Sequence, residues 1–374
     1  MKEINIAETL VRKRREKGIT QEELAAHIGV TKASVSKWET GQSYPDITFL
    51  PLLAAYFNIS IDELMNYTPQ LTKEEIKKLY HQLSAAFAAR PFDDVMGECR
   101  RIIKKYYSCF PLLLQMAVLL TNHHMLAEDK KTQEAILKEA VELCRRIRTE
   151  SEDLWLAREA TSLEAVCYLI LQQPQEVLNL LGESIRPVST DYEIVAQAYQ
   201  LMGNVTKAKE VMQIGMYQHL LALLGATPSY LLLNAGNSKV TGEILHRALS
   251  VAAVYDLEHL HPNIMAQIYL SAAQVYSLQG NTEKSLDMLQ KYAKICTTGF
   301  FPFTLHGDFF FDAIDGWLAE FDLGTGPPQN EKLIKESMLQ GVLSNPVFAA
   351  FAELPRYKNI IETLKINLMA QNSE

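Results

Sequence analysis

Apolar residues recur along this chain at helical spacing, and no stretch shows convincing strand alternation, so the sequence reads as all-α. The first predicted helix, Ile6 to Lys17, carries Ile6 and Leu10 inward and closes on Lys17-Gly18, a cation then a glycine at a helix end. Thr20-Gln21-Glu22-Glu23 has the spacing of a capping box and opens a second helix, with Leu24, Ala25 and Ile28 inside. Gly29 ends it at a tight turn. Thr31 caps a third helix, Lys32 to Glu39, which turns Val35 and Trp38 inward and Lys32, Ala33, Ser34, Ser36 and Lys37 outward. Gly41 stops it. Pro45-Asp46 opens a fourth helix, to about Phe57, with Phe49, Leu52, Leu53 and Tyr56 on its packed face. Ser60-Ile61-Asp62-Glu63 then has the spacing of a second capping box, for a short fifth helix ending near Met65. Five short helices over residues 1–66 make one compact domain.

Residues 67–71 contain Thr68-Pro69 and lack periodicity, which predicts a linker, and Thr72-Lys73-Glu74-Glu75 caps the next helix. The remainder, 72–374, is helical and weakly repetitive. Ala196, Tyr199, Gly203-Asn204, Ala208 and Met212 recur at the same spacings as Ala273, Tyr276, Gly280-Asn281, Ser285 and Leu289; Ala165, Tyr168, Gln172, Val177 and Leu181 fit the same frame. A small residue three before an aromatic, then a turn, then another small or branched residue is the packing signature of tetratricopeptide repeats: small residues let two helices approach, and the aromatic fills the gap to the next pair. The 77-residue step from Tyr199 to Tyr276 leaves room for a degenerate unit near Leu223 to Leu257. Ala86, Arg90-Pro91, Val95 and Cys99 fit more loosely, and about five or six helix pairs are expected. Thr297 to Phe311, rich in Phe with Gly299, Pro302 and Gly307, breaks the pattern as an irregular connection. Glu331 to Leu368 reads as two or three closing helices broken at Pro346 and Pro355.

Composition narrows the function. A hydrophobic content of 48% suffices for a large core, and five widely spaced cysteines without a Cys-x-x-Cys pair point to reduced thiols rather than a disulfide framework or a zinc site. No secretory signal is visible after Met1-Lys2-Glu3. The most apolar runs, Pro111 to Leu120 and Tyr217 to Leu233, are interrupted too early to span a bilayer, so a cytoplasmic protein without membrane contact is expected. The net charge of −8 excludes a chain that coats nucleic acid along its whole length. Any DNA contact is therefore local, and Arg12, Lys13, Arg14, Arg15, Lys17, Lys32 and Lys37 supply a local basic footprint.

Arg14, Thr20 to Ala25, Gly29-Val30-Thr31, Ser34 to Glu39, Gly41 and Ser60 to Leu64 stand in the order found in one DNA-binding family. On these residues the N-terminal sixth of the chain resembles the lambda-repressor-like helix-turn-helix domains of phage repressors, Cro and the bacterial XRE regulators. The resemblance implies a recognition helix in the major groove, with Lys32, Ala33 and Lys37 reaching base edges and Ser34 and Ser36 flanking them. Lysines suit guanine O6 and N7 and the Ala33 methyl suits thymine, so guanines flanking a pyrimidine are expected in the site. It further implies phosphate contacts from Gln21, Thr31 and Thr40, with Arg12, Arg15 and Lys17 as phosphate neighbours. Arg14 and Glu39 match the family's structural ion pair, and Trp38 is core. Two half-sites about one DNA turn apart imply a homodimer on double-stranded DNA.

Joined to repeats of the tetratricopeptide kind, this head resembles the architecture of peptide-pheromone-responsive regulators. That implies a C-terminal domain that dimerises and binds a peptide or small effector, with Gln197, Gln200, Gln267 and Gln274 as groove positions whose amides both donate and accept. Ordinary solvated glutamines are the plainer reading of those four. No phosphate-cradling glycine motif, metalloprotease motif or nucleophile elbow is present, so neither an enzyme nor a cofactor is expected. His123-His124 and His259-x-His261 have the wrong spacing for a helical metal site. Asp308, Asp312 and Asp315 are read as sharing one helical face, in a capping role. The expected function is a sequence-specific transcription regulator, in the sense of a repressor; the alternative is a scaffold whose repeats recruit a protein partner to DNA.

Overall fold

The computed structural model describes residues 5–67, 70–184 and 190–369, and every regular element among them is helical. The chain falls into two compact units, Met1–Thr72 with Ile103–Leu113, and Lys73–Ile102 with Leu114–Glu374. Of the expected linker, Thr68 and Pro69 lie outside the described residues, as do Met1 to Ile4. Gln70 Nε2 donates to the Ser108 carbonyl at 3.1 Å and the Leu71 amide to Cys109 Sγ at 3.5 Å. Among the described residues no helix is long and apolar enough to cross a membrane.

The head contains α1 (Ile6–Glu16), α2 (Gln21–Ile28), α3 (Lys32–Glu39), α4 (Leu50–Phe57) and α5 (Ile61–Met65). Its core gathers Ile6, Leu10, Leu24, Ala25, Ile28, Val35, Trp38, Leu53, Ala54, Phe57 and Leu64. The fourth helix departs from expectation. Asp46 caps a 3₁₀ turn, Ile47–Phe49, before α4 begins. That tighter turn shifts the register, so Leu52 points to solvent and Ala54 and Phe57 point inward. The second capping box is only half formed. Ser60 Oγ accepts from the Glu63 amide at 3.0 Å, but the Glu63 carboxylate goes to Lys13 Nζ, also at 3.0 Å.

After the head the chain is a solenoid-like succession of helices, all in the second unit except the end of α7 and the start of α8: α6 (Lys73–Ala89), α7 (Phe92–Lys105), α8 (Phe110–His123), α9 (Lys130–Glu150), α10 (Leu154–Ile170), α11 (Pro174–Leu181), α12 (Asp191–Leu201), α13 (Val205–Gly225), α14 (Thr227–Leu233), α15 (Ser238–Val254), α16 (Leu257–Leu260), α17 (Pro262–Leu278), α18 (Thr282–Thr297), α19 (Asp315–Ala319), α20 (Glu331–Leu343) and α21 (Pro355–Met369). Three turns are built alike, at the positions of the repeat frame. Gln172, Gly203 and Gly280 each adopt positive φ, at 58°, 78° and 73°. In each, the following amide bonds back to the carbonyl of the frame's tyrosine, Gln173 to Tyr168, Asn204 to Tyr199 and Asn281 to Tyr276, at 2.8–2.9 Å. This six-to-one bond is the Schellman ending of a helix. Asn204 and Asn281 then cap the next helix through their side chains, whereas α11 opens on Pro174. Small frame positions meet where expected: Ser285 Oγ donates to the Ala273 carbonyl at 2.7 Å, and Ala196 and Ala208 are both buried. Over the span expected to hold a degenerate unit lie α14 and α15.

The irregular connection runs further than expected, from Thr298 to Asn330 with only α19 within it. It is anchored at several points of this unit. Gln213 on α13 donates to Asp312 Oδ1 at 2.7 Å and accepts from the Ala313 amide at 2.8 Å. Asp322 takes Lys73 at 3.3 Å and Gln115 at 3.2 Å, His81 meets the Leu323 carbonyl at 2.9 Å, and Gln329 bonds to the Asn122 carbonyl. The expectation of three aspartates on one helical face fails here. Asp308 and Asp312 lie in a turn, where Asp308 Oδ1 accepts from the Phe310 and Phe311 amides; Asp315 opens α19 and accepts from the Gly307 amide at 2.6 Å.

Candidate nucleic-acid interface

The helices α2 and α3 are set by short-range chemistry. Thr20 Oγ1 accepts from the Glu23 amide at 3.2 Å, and Glu23 Oε2 accepts from the Thr20 amide at 2.7 Å, closing the expected box. The backbone bond from Thr20 holds the Glu23 carboxyl below its ordinary pKa. Gly29 ends α2 at φ 81°, a conformation that costs a side-chain-bearing residue about 1 kcal/mol or more. Thr31 Oγ1 accepts from the Ser34 amide at 3.2 Å and so starts α3.

Burial of Val35 and Trp38 fixes the rotation of α3, and with it which side chains face water. Lys32, Ala33 and Lys37 are exposed, while Ser34 and Ser36 are half-buried. Lys32 Nζ lies 3.6 Å from Glu22 Oε2, with both side chains mostly exposed, so this pair is weak and readily exchanged for another anion. Ser34 and Thr31 share a hydroxyl contact of 2.8 Å. Thr40 spends its only hydroxyl proton on the helix's own carbonyls, of Ser36 at 2.9 Å and Lys37 at 3.2 Å. A phosphate oxygen only accepts, so Thr40 must rotate away from these partners before it can bind one.

Behind this face lies an ion pair with one more member than the sequence indicates. Arg14 Nε and NH2 meet the two Glu39 oxygens at 2.6 and 2.9 Å, and Arg14 NH1 donates to the Ile19 carbonyl at 2.9 Å. Gln21 Nε2 also donates to Glu39, at 2.9 Å. The Glu39 side chain is only 4% exposed. Burial alone would raise its pKa, but the bonds from Arg14 and Gln21 outweigh it and hold the carboxyl below the usual range. One amide hydrogen of Gln21 is thus fixed, which orients the other at the start of α2, where the first backbone amides also lack helical acceptors. The signal for this third member was the spacing of Gln21 and Glu39 across two adjoining helices, which only the fold makes legible.

The flanking basic residues divide. Arg12 and Arg15 are exposed, as a phosphate contact needs. Lys17 is not available in the expected way: its ammonium bonds to the Tyr56 carbonyl and sits 3.9 Å above the Tyr56 ring. In the second unit, Gln197 and Gln200 on α12 and Gln267 on α17 are exposed, and Gln274 is half-buried.

A family model described as helix-turn-helix matches residues 10–64. The head is a helix-turn-helix domain. A curated relative, the HTH-type transcriptional activator BcrR of Enterococcus faecalis, is 34% identical over 82 residues. That match covers 20% of this chain and 40% of BcrR, so the chain spans well under half the length of this relative. Among solved structures, the chain is similar to PlcR of Bacillus thuringiensis, crystallised with the peptide PapR7 and DNA, at 13% identity and a TM-score of 0.29 over 78% of this chain and 94% of PlcR. It is also similar to the apo form of ComR from S. thermophilus, at 14% identity and a TM-score of 0.24 over 85% of this chain and all of ComR.

Proposed function

We propose that the protein is a sequence-specific DNA-binding transcription regulator that acts as a homodimer. The observation that carries this reading is the α3 face: Lys32, Ala33 and Lys37 stand exposed on a helix whose rotation Val35 and Trp38 fix, beside an α2 whose Gln21 is oriented by Glu39. Lys32 and Lys37 are the base-reading residues, with Ala33 against a thymine methyl and Ser34 and Ser36 beside them. Gln21, Thr31, Arg12 and Arg15 hold phosphates, and Thr40 joins them once its hydroxyl turns outward. Arg14 and Glu39 hold the frame.

A dimer follows from the size of one head, since domains of this kind read two half-sites. Exposed apolar side chains in the second unit supply a surface for it. Val166, Leu169 and Ile170 on α10, Leu178 and Leu181 on α11, and Ile194 and Leu201 on α12 are exposed, in a concentration that solvent does not favour. Two heads so joined occlude the DNA they cover, which makes repression the expected sign. Effector sensing falls to the helical unit, with Gln197, Gln200, Gln267 and Gln274 on the first helices of two repeat pairs as candidates for a peptide backbone.

The test is binding of the full chain to genomic fragments at fixed, moderate salt. Lys32→Ala with Lys37→Ala is expected to lose about 1–3 kcal/mol of discrimination per contact, whereas Arg12→Ala and Arg15→Ala weaken all sequences evenly and lower the salt slope by about one each. Binding without sequence preference, unchanged in the double lysine variant, overturns the reading.

A further inference from the structure

In the second unit α17 and α18 lie against each other, and the chain enters this pair through α16 and leaves it through residues 298–306. At that end is a cavity of about 490 Å³, within the range that holds small ligands. Its walls differ in kind. Lys291 and Lys294, three residues apart on α18, line it and are exposed, and neither forms an ion pair among the described residues. Lys291 instead lies 5.6 Å above the ring of Tyr269. On the apolar side are Pro262, Phe300 and Phe303, the two phenylalanines stacked at 5.5 Å between centroids.

Neither acidic group of the cavity, Glu258 or Asp256, forms an ion pair with the lysines among the described residues. Glu258 accepts a bond of 2.5 Å from the hydroxyl of Tyr269, a residue that is 4% exposed. Asp256 also lines the cavity. Two cations outside any ion pair, an aromatic wall and two carboxylates, gathered in one small cavity, complement a ligand that carries an anion and an apolar body on the same small frame. Near two ammonium groups a carboxylate gains charge-assisted bonds, and the aromatic wall gives it an orientation that bulk water does not.

We propose that this cavity binds a small amphipathic carboxylate, either a free amino acid with an aromatic or branched side chain or the carboxyl-terminal residue of a peptide. Its carboxylate sits between Lys291 and Lys294 and its side chain against Phe300 and Phe303. Asp256 takes the ammonium group when that group is free. The proposal deepens the reading of the second unit as an effector-sensing domain and places the effector's acidic end at a site distinct from the glutamines of α12 and α17.

The experiment is calorimetric titration of the full chain, without DNA, using L-phenylalanine, N-acetyl-phenylalanine, N-acetyl-phenylalaninamide and a pentapeptide ending in phenylalanine. The acids are expected to bind one per chain, with the neutral amide weaker by about tenfold or more. Tighter binding of phenylalanine than of its acetyl derivative identifies a free amino acid, and the reverse order identifies a peptide terminus. Lys291→Gln with Lys294→Gln alters only exposed side chains, so it is expected to leave the melting temperature unchanged while weakening the acids by about tenfold or more; Phe303→Ala weakens acid and amide alike. The proposal is overturned if no acid saturates the protein by about 10 mM, if the amide binds as well as the acid, or if the double lysine variant binds as the parent does. Because no DNA is present, such a failure leaves the DNA-binding reading standing, and loss of sequence preference on genomic fragments leaves this one standing.

Discussion

The head and the helices α10 to α12 use apolar residues in opposite ways. Over residues 5–66 the large apolar side chains close on one core, and only Tyr44, Ile47, Leu52 and Ile61 are exposed. Over α10 to α12 the balance reverses: Cys167 and Tyr168 are the large or sulfur-bearing apolar residues buried there, while Leu154, Trp155, Leu169, Leu178, Ile194 and Leu201 face outward. A domain of about 60 residues that closes its own core is a rigid reader. Helices that leave theirs open gain by meeting another surface. The difference supports the proposed division, recognition in the first region and assembly through the second, and each region has its own way of failing.

The head should fail through its buried charge. Glu39→Gln leaves the Arg14 guanidinium without its counter-charge in a site that is nearly closed to water, at an expected cost of about 3 kcal/mol. Denaturant unfolding followed by Trp38 fluorescence, in a chain carrying Trp155→Phe and Trp317→Phe, measures it. The pH dependence has a definite sign. The Glu39 carboxyl is held below its ordinary value of 4.5 in the fold, so its contribution is complete above about pH 4.5 and is lost as pH falls through the lowered value. The Gln variant is expected to lose that acid-limb dependence. An equal acid slope in both proteins places the stabilisation elsewhere.

How much of this was legible in the sequence follows the reach of each interaction. The caps at Thr20 and Thr31 and the turn at Gly29 act over three or four residues, and the pattern announces them. Glu63 has the right neighbour in sequence yet bonds to Lys13, fifty positions away, which no local pattern encodes. Leu52 faces solvent and not the core its spacing predicts, because a three-residue 3₁₀ turn rotates everything after it. Asp308, Asp312 and Asp315 have helical spacing but lie where Asp308 caps a turn of its own. The cavity beside Lys291 was invisible for the same reason: its walls come from residues up to fifty apart.

Assembly through α10 to α12 is tested by placing charge on the exposed face. Leu169→Glu with Leu201→Glu is expected to keep the helical content and melting temperature, because both side chains are already in water, and to halve the mass seen by sedimentation equilibrium. DNA affinity should fall by about tenfold or more, as two half-sites are then bound separately. An unchanged mass with unchanged DNA affinity removes this face from the dimer, and a monomeric parent removes the dimer.

The two regions also share a device, and the smallest effect expected concerns it. Both the head and the repeats end a helix on a residue with positive φ and begin the next on a side-chain cap: Gly29 with Thr31, Gly203 with Asn204, Gly280 with Asn281. At the third repeat turn the residue is Gln172, which bears a side chain in the same left-handed conformation at φ 58° and is followed by a proline-started helix instead of an asparagine cap. Glycine relieves that strain, whereas alanine at Gly203 or Gly280 introduces it. No neighbouring atom lies within 4 Å of a methyl group built at either glycine, so the difference isolates the backbone from packing. Gly280→Ala is expected to destabilise by about 1 kcal/mol and Gln172→Gly to stabilise by a few tenths, with Gly29→Ala matching Gly280→Ala if the two regions use the turn alike. Thermal unfolding of the three variants decides it. A gain from Gly280→Ala, or a loss from Gln172→Gly, shows that the repeat turns are held by something other than the conformation they share with the head.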